Sequence, residues 1–258
     1  MIERGVAYIA VLALTVTAGC SRGEKPPAKP LPADARRVDA AKAGSVTGRV
    51  HIEGPLPENA LLDMSGDAVC VREQKQGVRA ETFVSENGSL GNVFVYVKDG
   101  LGNYAFEAPS EPVKLDQRGC VYVPHVFGAQ VGQAVEFINS DPTLHTVHVL
   151  AHANAEFNFS QPIKGQKNRR YFSKPEVMIR LRCNVHSWMS SYLGVLDHPY
   201  FAVTSPAGTF ELKGLPAGTY TVEAWHETLG TRTQSVTLAD NDRKELSFTF
   251  KAPAATLP

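Results

Sequence analysis

Cys183, His186 and Met189 stand at positions i, i+3 and i+6 of the run CNVHSWM. A loop between two strands can turn a thiolate, an imidazole and a thioether at this spacing toward one point. A helix does not do so with the same ease, because its turn of about 3.6 residues spreads such positions over different faces. Soft sulfur donors combined with imidazole are the set that copper takes among the first-row metals. A trigonal plane of two His and one Cys, with Met weakly axial, closes such a site. The local run supplies a single His, so the second must come from elsewhere in the chain.

The elements that would have to hold these groups read as strands. Ser45–Glu53, Asn92–Lys98 and Cys120–Val126 alternate apolar and polar residues, the period of a half-buried strand. Further strands are expected at Ala134–Asn139, His145–Leu150, Glu176–Arg182, Tyr192–Asp197, Tyr200–Thr204, Thr209–Lys213, Gly218–His226, Thr231–Leu238 and Glu245–Lys251. Turn signals such as Glu86-Asn87-Gly88, Asp99-Gly100 and Pro216-Ala217-Gly218 punctuate them. No convincing amphipathic helix and no repeat of fixed period interrupts the pattern, so an all-β sandwich protein is expected.

Two family resemblances refine this. The segment Phe137–His148 (FINSDPTLHTVH) resembles the stretch that carries the first histidine ligand in plastocyanins and amicyanins: a strand, an Asn, a short polar turn, then the His. The resemblance spans Asp116 to Asp197, and the C-x2-H-x2-M loop has the short amicyanin length. It implies a cupredoxin-like Greek-key β-sandwich binding one copper ion at a type 1 (blue-copper) site made of His145, Cys183, His186 and Met189. The chain departs from those families at Thr146, where they carry the Asn that ties the two ligand loops together. His148 is read as structural, and as the substitute ligand should His145 fail.

The second resemblance lies in Phe201–His226 (FAVTSPAGTFELKGLPAGTYTVEAWH), which is similar to the carboxypeptidase regulatory-like, transthyretin-type sandwich. The stretch Cys120–His226 as a whole resembles exported bacterial plastocyanin-like or methylamine-utilization-like proteins that join the two units, through GCVYVPHV, NSDPTLHTVH, CNVHSWM and GTYTVEAWHE. The expected organisation is an N-terminal β segment over 45–109, a copper domain over 110–197 and a β-sandwich over 198–252. Gly44–Ile52 and Asn92–Lys98 could be strands of that last sandwich, making it discontinuous; two simple tandem domains are the equal alternative.

A full ligand set leaves no equatorial position for a substrate, so electron transfer is expected rather than catalysis, with a redox partner protein. Copper binding or delivery without redox turnover, or a structural or adhesive module, are the alternatives. No Gly-x-Ser-x-Gly, His-Glu-x-x-His or phosphate-cradling Gly loop is present. Lys+Arg equal Asp+Glu at 26 each, which argues against nucleic acid as the main partner.

The N-terminus points to export. An apolar run, Val6–Val16, precedes Thr17-Ala18-Gly19-Cys20, which resembles a bacterial lipobox: 1–19 would be a signal peptide and Cys20 the lipidated residue. Ser21 rather than Asp follows the Cys, which favours the outer membrane or cell surface, with contact to the membrane through the lipid alone. The stretch 20–44, rich in Pro, Ala and charge, reads as a flexible tether. Of the four cysteines, one is then lipidated and Cys183 is taken by metal. Cys70 and Cys120 remain to pair in an oxidising compartment, or else stay as buried free thiols. His125, His198 and His226 are expected to pack in the sheets or to support a second metal position or docking patch. Trp188 is expected to shield the metal or face a partner, and Trp225 to lie in the core of the second sandwich.

Overall fold

The computed structural model describes residues 33–254. The signal-like segment and Cys20 lie outside them. Among the described residues the fold is all-β, and no helix is long and apolar enough to cross a membrane. The chain runs through β1 (Gly44–Glu53), a six-residue helix α1 (Ala68–Glu73), β2 (Ser85–Glu86), β3 (Ser89–Leu90) and β4 (Phe94–Asp99). Then follow β5 (Val113–Arg118), β6 (Val121–Val123), β7 (Val126–Gln130), β8 (Ala134–Asn139), β9 (His145–Leu150), β10 (Phe157–Gln161), β11 (Lys167–Tyr171), β12 (Glu176–Arg182) and β13 (Ser190–Leu196). The last five are β14 (Phe201–Val203), β15 (Thr209–Leu215), β16 (Gly218–His226), β17 (Gly230–Leu238) and β18 (Arg243–Lys251).

Strand pairing joins the two ends of the chain into one sandwich. β1 lies between β15, antiparallel, and β18, parallel, and β4 lies between β14 and β16. The sheet of β1, β2, β3, β15 and β18 faces the sheet ordered β14-β4-β16-β17. Their inner faces interdigitate: Val46, Val50, Leu212, Phe248 and Phe250 meet Val95, Val97, Tyr220, Val222 and Val236. The alternation in β18, where Leu246, Phe248 and Phe250 are buried and their neighbours exposed, is what directs that face inward. Each such burial contributes about 1.5–3 kcal/mol.

Between these elements in sequence, β5 to β13 build a second sandwich, with sheets ordered β10-β9-β12-β13-β7 and β11-β8-β5-β6. Its core runs from Leu115, Val135 and Phe137 on one sheet to Val147, Val149, Leu181, Leu193 and Val195 on the other, and extends to Cys183 and Met189. The run read as one strand, Cys120–Val126, is two strands in different sheets: β6 pairs with β5, β7 with β13. Pro124 sits at the break, where it has no N–H to continue a ladder.

The two sandwiches share a third apolar cluster, formed by Phe94, Tyr96, Val126 and Leu196 with Tyr192, Phe201 and Trp225 packed around them. Gly194 and Gly128 are register partners on β13 and β7. A Cβ on Gly194 would lie 2.4 Å from Phe94 Cζ, and one on Gly128 would lie 2.4 Å from Phe201 Cε2. The bare backbone of this glycine pair is the socket for two rings from the other sandwich. Trp225 therefore belongs to this junction, against Tyr192 at a centroid distance of 5.1 Å, and not to the core of the sandwich that holds β14–β18, where it was expected.

Part of the stretch read as a tether over 20–44 is docked. Arg36 N–H donates to Asn103 O and Arg36 O accepts from Ala105 N–H, while its guanidinium lies 4.5 Å above the Tyr104 ring. Asn103 Nδ2 donates to Asp34 O and Arg37 pairs with Glu107, so this polar segment has partners that its composition does not announce.

Candidate metal centre

The seven residues between β12 and β13 form a tight loop at the end of the second sandwich. Cys183 N–H donates to Met189 O at 3.2 Å, Met189 N–H to His186 O at 3.0 Å, and His186 N–H to Cys183 Sγ at 3.4 Å. These bonds turn the side chains of Cys183, His186 and Met189 inward. His145 opens β9, the neighbour of β12, so the sheet brings it beside the loop. His145 is 0% exposed, Met189 1%, and Cys183 and His186 2% each.

His145 Nδ1 and His186 Nδ1 face each other at 2.9 Å, and Cys183 Sγ lies 4.0 Å from His186 Nδ1. Ligand atoms of His145, Cys183 and His186 all fall within 4.8 Å of one another. The outer nitrogens are engaged elsewhere: His145 Nε2 donates to Asp141 Oδ2 at 3.1 Å and His186 Nε2 to Asp67 Oδ2 at 3.0 Å. A neutral imidazole carries one N–H. With that N–H placed on a carboxylate in both rings, both Nδ1 atoms present lone pairs to the same point. Three such atoms converging in a buried space form a donor set that could hold a cation.

The thiol is disposed to join as thiolate. Burial pushes the Cys183 thiol up, but hydrogen bonds from the imidazoles of His145 and His186, when these carry a proton on Nδ1, and from the Thr146 and His186 backbone N–H groups outweigh it, bringing the pKa down to about 5. His145 is moved the other way: burial lowers it, while Asp141 and Cys183 raise it further, so the net direction is up.

Thr146, the departure from the expected Asn, makes the tie between the ligand loops itself. Its N–H donates to Cys183 Sγ at 3.4 Å, its Oγ1 lies 3.6 Å from that sulfur, and Asn184 N–H donates to Oγ1 at 2.7 Å. Asn139 fixes the turn before His145: its Nδ2 donates to Thr143 O and Gln161 O, and its Oδ1 accepts from Asp141 N–H.

Cys70 and Cys120 form a disulfide, with S–S 2.01 Å, and Cys183 is the free cysteine among the described residues. Cys120 lies with Gly119 in the two-residue turn between β5 and β6, at φ +58° and +64°. Both their N–H groups point at Asp141, donating at 2.7 and 2.8 Å. Such a pair of successive left-handed residues makes a cradle for an anion. Cys70 is in α1, whose N-cap is Asp67.

The remaining candidates take other places. His148 is on the opposite side of β9, with Nδ1 against Asn184 Oδ1 and Nε2 at 2.6 Å from Glu156 Oε1, away from the convergent atoms. His125 Nε2 meets Glu227 Oε1 at 2.5 Å near the junction of the sandwiches. His198 Nδ1 accepts from Tyr200 N–H, and His226 Nδ1 accepts from Thr228 and Leu229 N–H. Among the described residues every cluster able to hold an ion includes His145 or His186. Trp188 packs its ring 4.9 Å from that of His186 and donates Nε1–H to Cys120 O. Sequence reasoning missed Asp67 and Asp141. Asp141 carried a signal, standing four residues before His145; Asp67 carried only its place as a cap before a short apolar run.

No protein-family model matches the chain, and no curated protein does. Solved structures match parts of it. A Cu-containing nitrite reductase from Thermus scotoductus is 26% identical over 38% of this chain, with TM-score 0.32; the match spans 25% of the reductase. A mutant amicyanin in its Cu(I) form is 20% identical over 39% of this chain and 97% of its own, with TM-score 0.30. A purple cupredoxin from Nitrosopumilus maritimus is 17% identical over 32% of this chain and 98% of its own, with TM-score 0.27.

Proposed function

We propose that the chain is an exported copper protein of cupredoxin type, held by a lipid on Cys20, that passes single electrons to a partner protein. His145, Cys183, His186 and Met189 would hold one copper ion, and its chemistry when bound is one-electron exchange. The observation that carries this reading is the convergence of two imidazole Nδ1 atoms and the Cys183 sulfur in a buried space beside a buried Met. The remaining sandwich, with the transthyretin-type motif in β14–β16, serves as the spacer and mount.

The chain's own part is positional. Asp141 and Asp67 fix the histidine rings, Thr146 holds the sulfur with two hydrogen-bond donors, and the packed sheets on either side resist rearrangement. A frame that need not move when the charge changes favours outer-sphere transfer, and hydrogen bonds to the Cys sulfur tune the potential. Electrochemical titration of copper-loaded protein distinguishes transfer from delivery. The expected result is a reversible one-electron wave, with copper retained through repeated cycles. Release of the metal on reduction would instead identify a delivery protein.

A further inference from the structure

Both histidines of the centre lean on carboxylates, and both carboxylates hang on one disulfide. Asp141 Oδ2 accepts from the N–H of Cys120, and Asp67 Oδ1 accepts from the N–H of Cys70 at 3.3 Å and of Val69 at 2.7 Å. Asp67 keeps its second oxygen for His186 Nε2 and for Thr143 Oγ1, the latter at 2.9 Å.

Asp67 does not come from the sandwich that holds the metal ligands. It stands 119 residues from His186, on the connection between β1 and β2 of the other sandwich. The β12–β13 loop is otherwise open to water here: Val185, beside His186, is 46% exposed while His186 is 2% exposed. What covers the ring is α1, held down by the disulfide, with Cys70 Sγ at 3.9 Å from His186 Nε2 and Trp188 bonded to Cys120 O.

We infer that Asp67 is a positioning residue for the copper centre: it holds His186 with Nδ1 inward, and the α1 segment that carries it is a cap closing the His186 edge against external ligands. The inference rests on the copper reading above. An alternative role, as N-cap of α1 alone, makes different predictions. Asn caps a helix as well as Asp, so Asp67→Asn preserves α1. It replaces the acceptor facing His186 Nε2–H by an NH2 donor. Asp67→Ser likewise keeps a cap and removes the carboxylate.

The test uses the full chain loaded with copper, probed with free imidazole, and measures Cu(I) affinity by chelator competition and the visible and EPR spectra. The expected result is an unmodified protein whose spectra ignore imidazole. Asp67→Asn and Asp67→Ser should bind copper about 10- to 100-fold more weakly, the usual cost of losing a carboxylate behind a ligand histidine, and their spectra should change when imidazole is added. Folded variants with unchanged affinity and spectra blind to imidazole would overturn the inference and leave the copper reading standing. Loss of the fold in both variants would assign Asp67 to folding alone and overturn it too. A parent chain that takes up no copper would remove both.

Discussion

Cys183→Ser is expected to abolish the visible thiolate-to-Cu(II) band and weaken Cu(I) binding by more than about 100-fold. Losing a partner behind a ligand already costs about 10- to 100-fold, and here the ligand itself goes. Among the described residues Cys183 is the one cysteine able to supply a thiolate, since Cys70 and Cys120 are joined in a disulfide. Its thiol is brought to about 5 by groups that survive the substitution, so Ser would place a hydroxyl, ionising far higher, among donors arranged for an anion. The fold should tolerate the change, because the hydroxyl can accept from the same N–H groups of Thr146 and His186. His148→Ala is the matched control. That ring is bonded to Asn184 and Glu156 outside the convergent space, so its removal should leave band and affinity in place. Chelator competition and absorption spectra of the two variants make the comparison, and an unchanged band in Cys183→Ser would remove the thiolate from the site.

At the junction of the sandwiches, Gly194→Ala should destabilise the protein by about 1–3 kcal/mol, the ordinary cost of overpacking. The added Cβ would meet the Phe94 ring at 2.4 Å, and that ring is fully buried, with Phe201 stacked at 5.6 Å, so it has little room to retreat. The mechanism is tested by a double-mutant cycle with Phe94→Ala. That change alone should cost about 3–5 kcal/mol, but it removes the ring with which the new methyl collides. The two effects should then fall short of additivity by about 0.5–3 kcal/mol, the range for residues in contact. Urea unfolding of the four proteins supplies the numbers. Strict additivity would mean that the glycine serves β13 itself and not the neighbouring ring.

The features legible in the sequence were those with local causes. β8, β9, β12 and β16 have the bounds expected from their apolar pattern, and the ligand loop was legible because three of its chemical groups lie within seven residues. β10 and β11 were missed for a physical reason. Each is an edge strand; KNRRY of β11 buries too little on either face to show a period of two, and FNFSQ of β10 alternates over only five residues. The six-residue α1 has no amphipathic stripe to detect; its Asp67 cap and its disulfide hold it. The cap over His186 was hidden because its contacts cross 116 to 119 residues of chain. Thr146 was visible only as a departure from Asn, and the structure gives it that residue's work by a different route, through its hydroxyl and its own N–H.

The central claim is that His145, Cys183, His186 and Met189 form one copper site with a thiolate ligand. It is tested most directly by titrating purified metal-free protein with Cu(II) while recording the visible spectrum and the bound copper. The expected result is an intense thiolate-to-Cu(II) band that rises linearly and stops at one copper per chain. A protein that binds copper without colour, or that binds none, would contradict it.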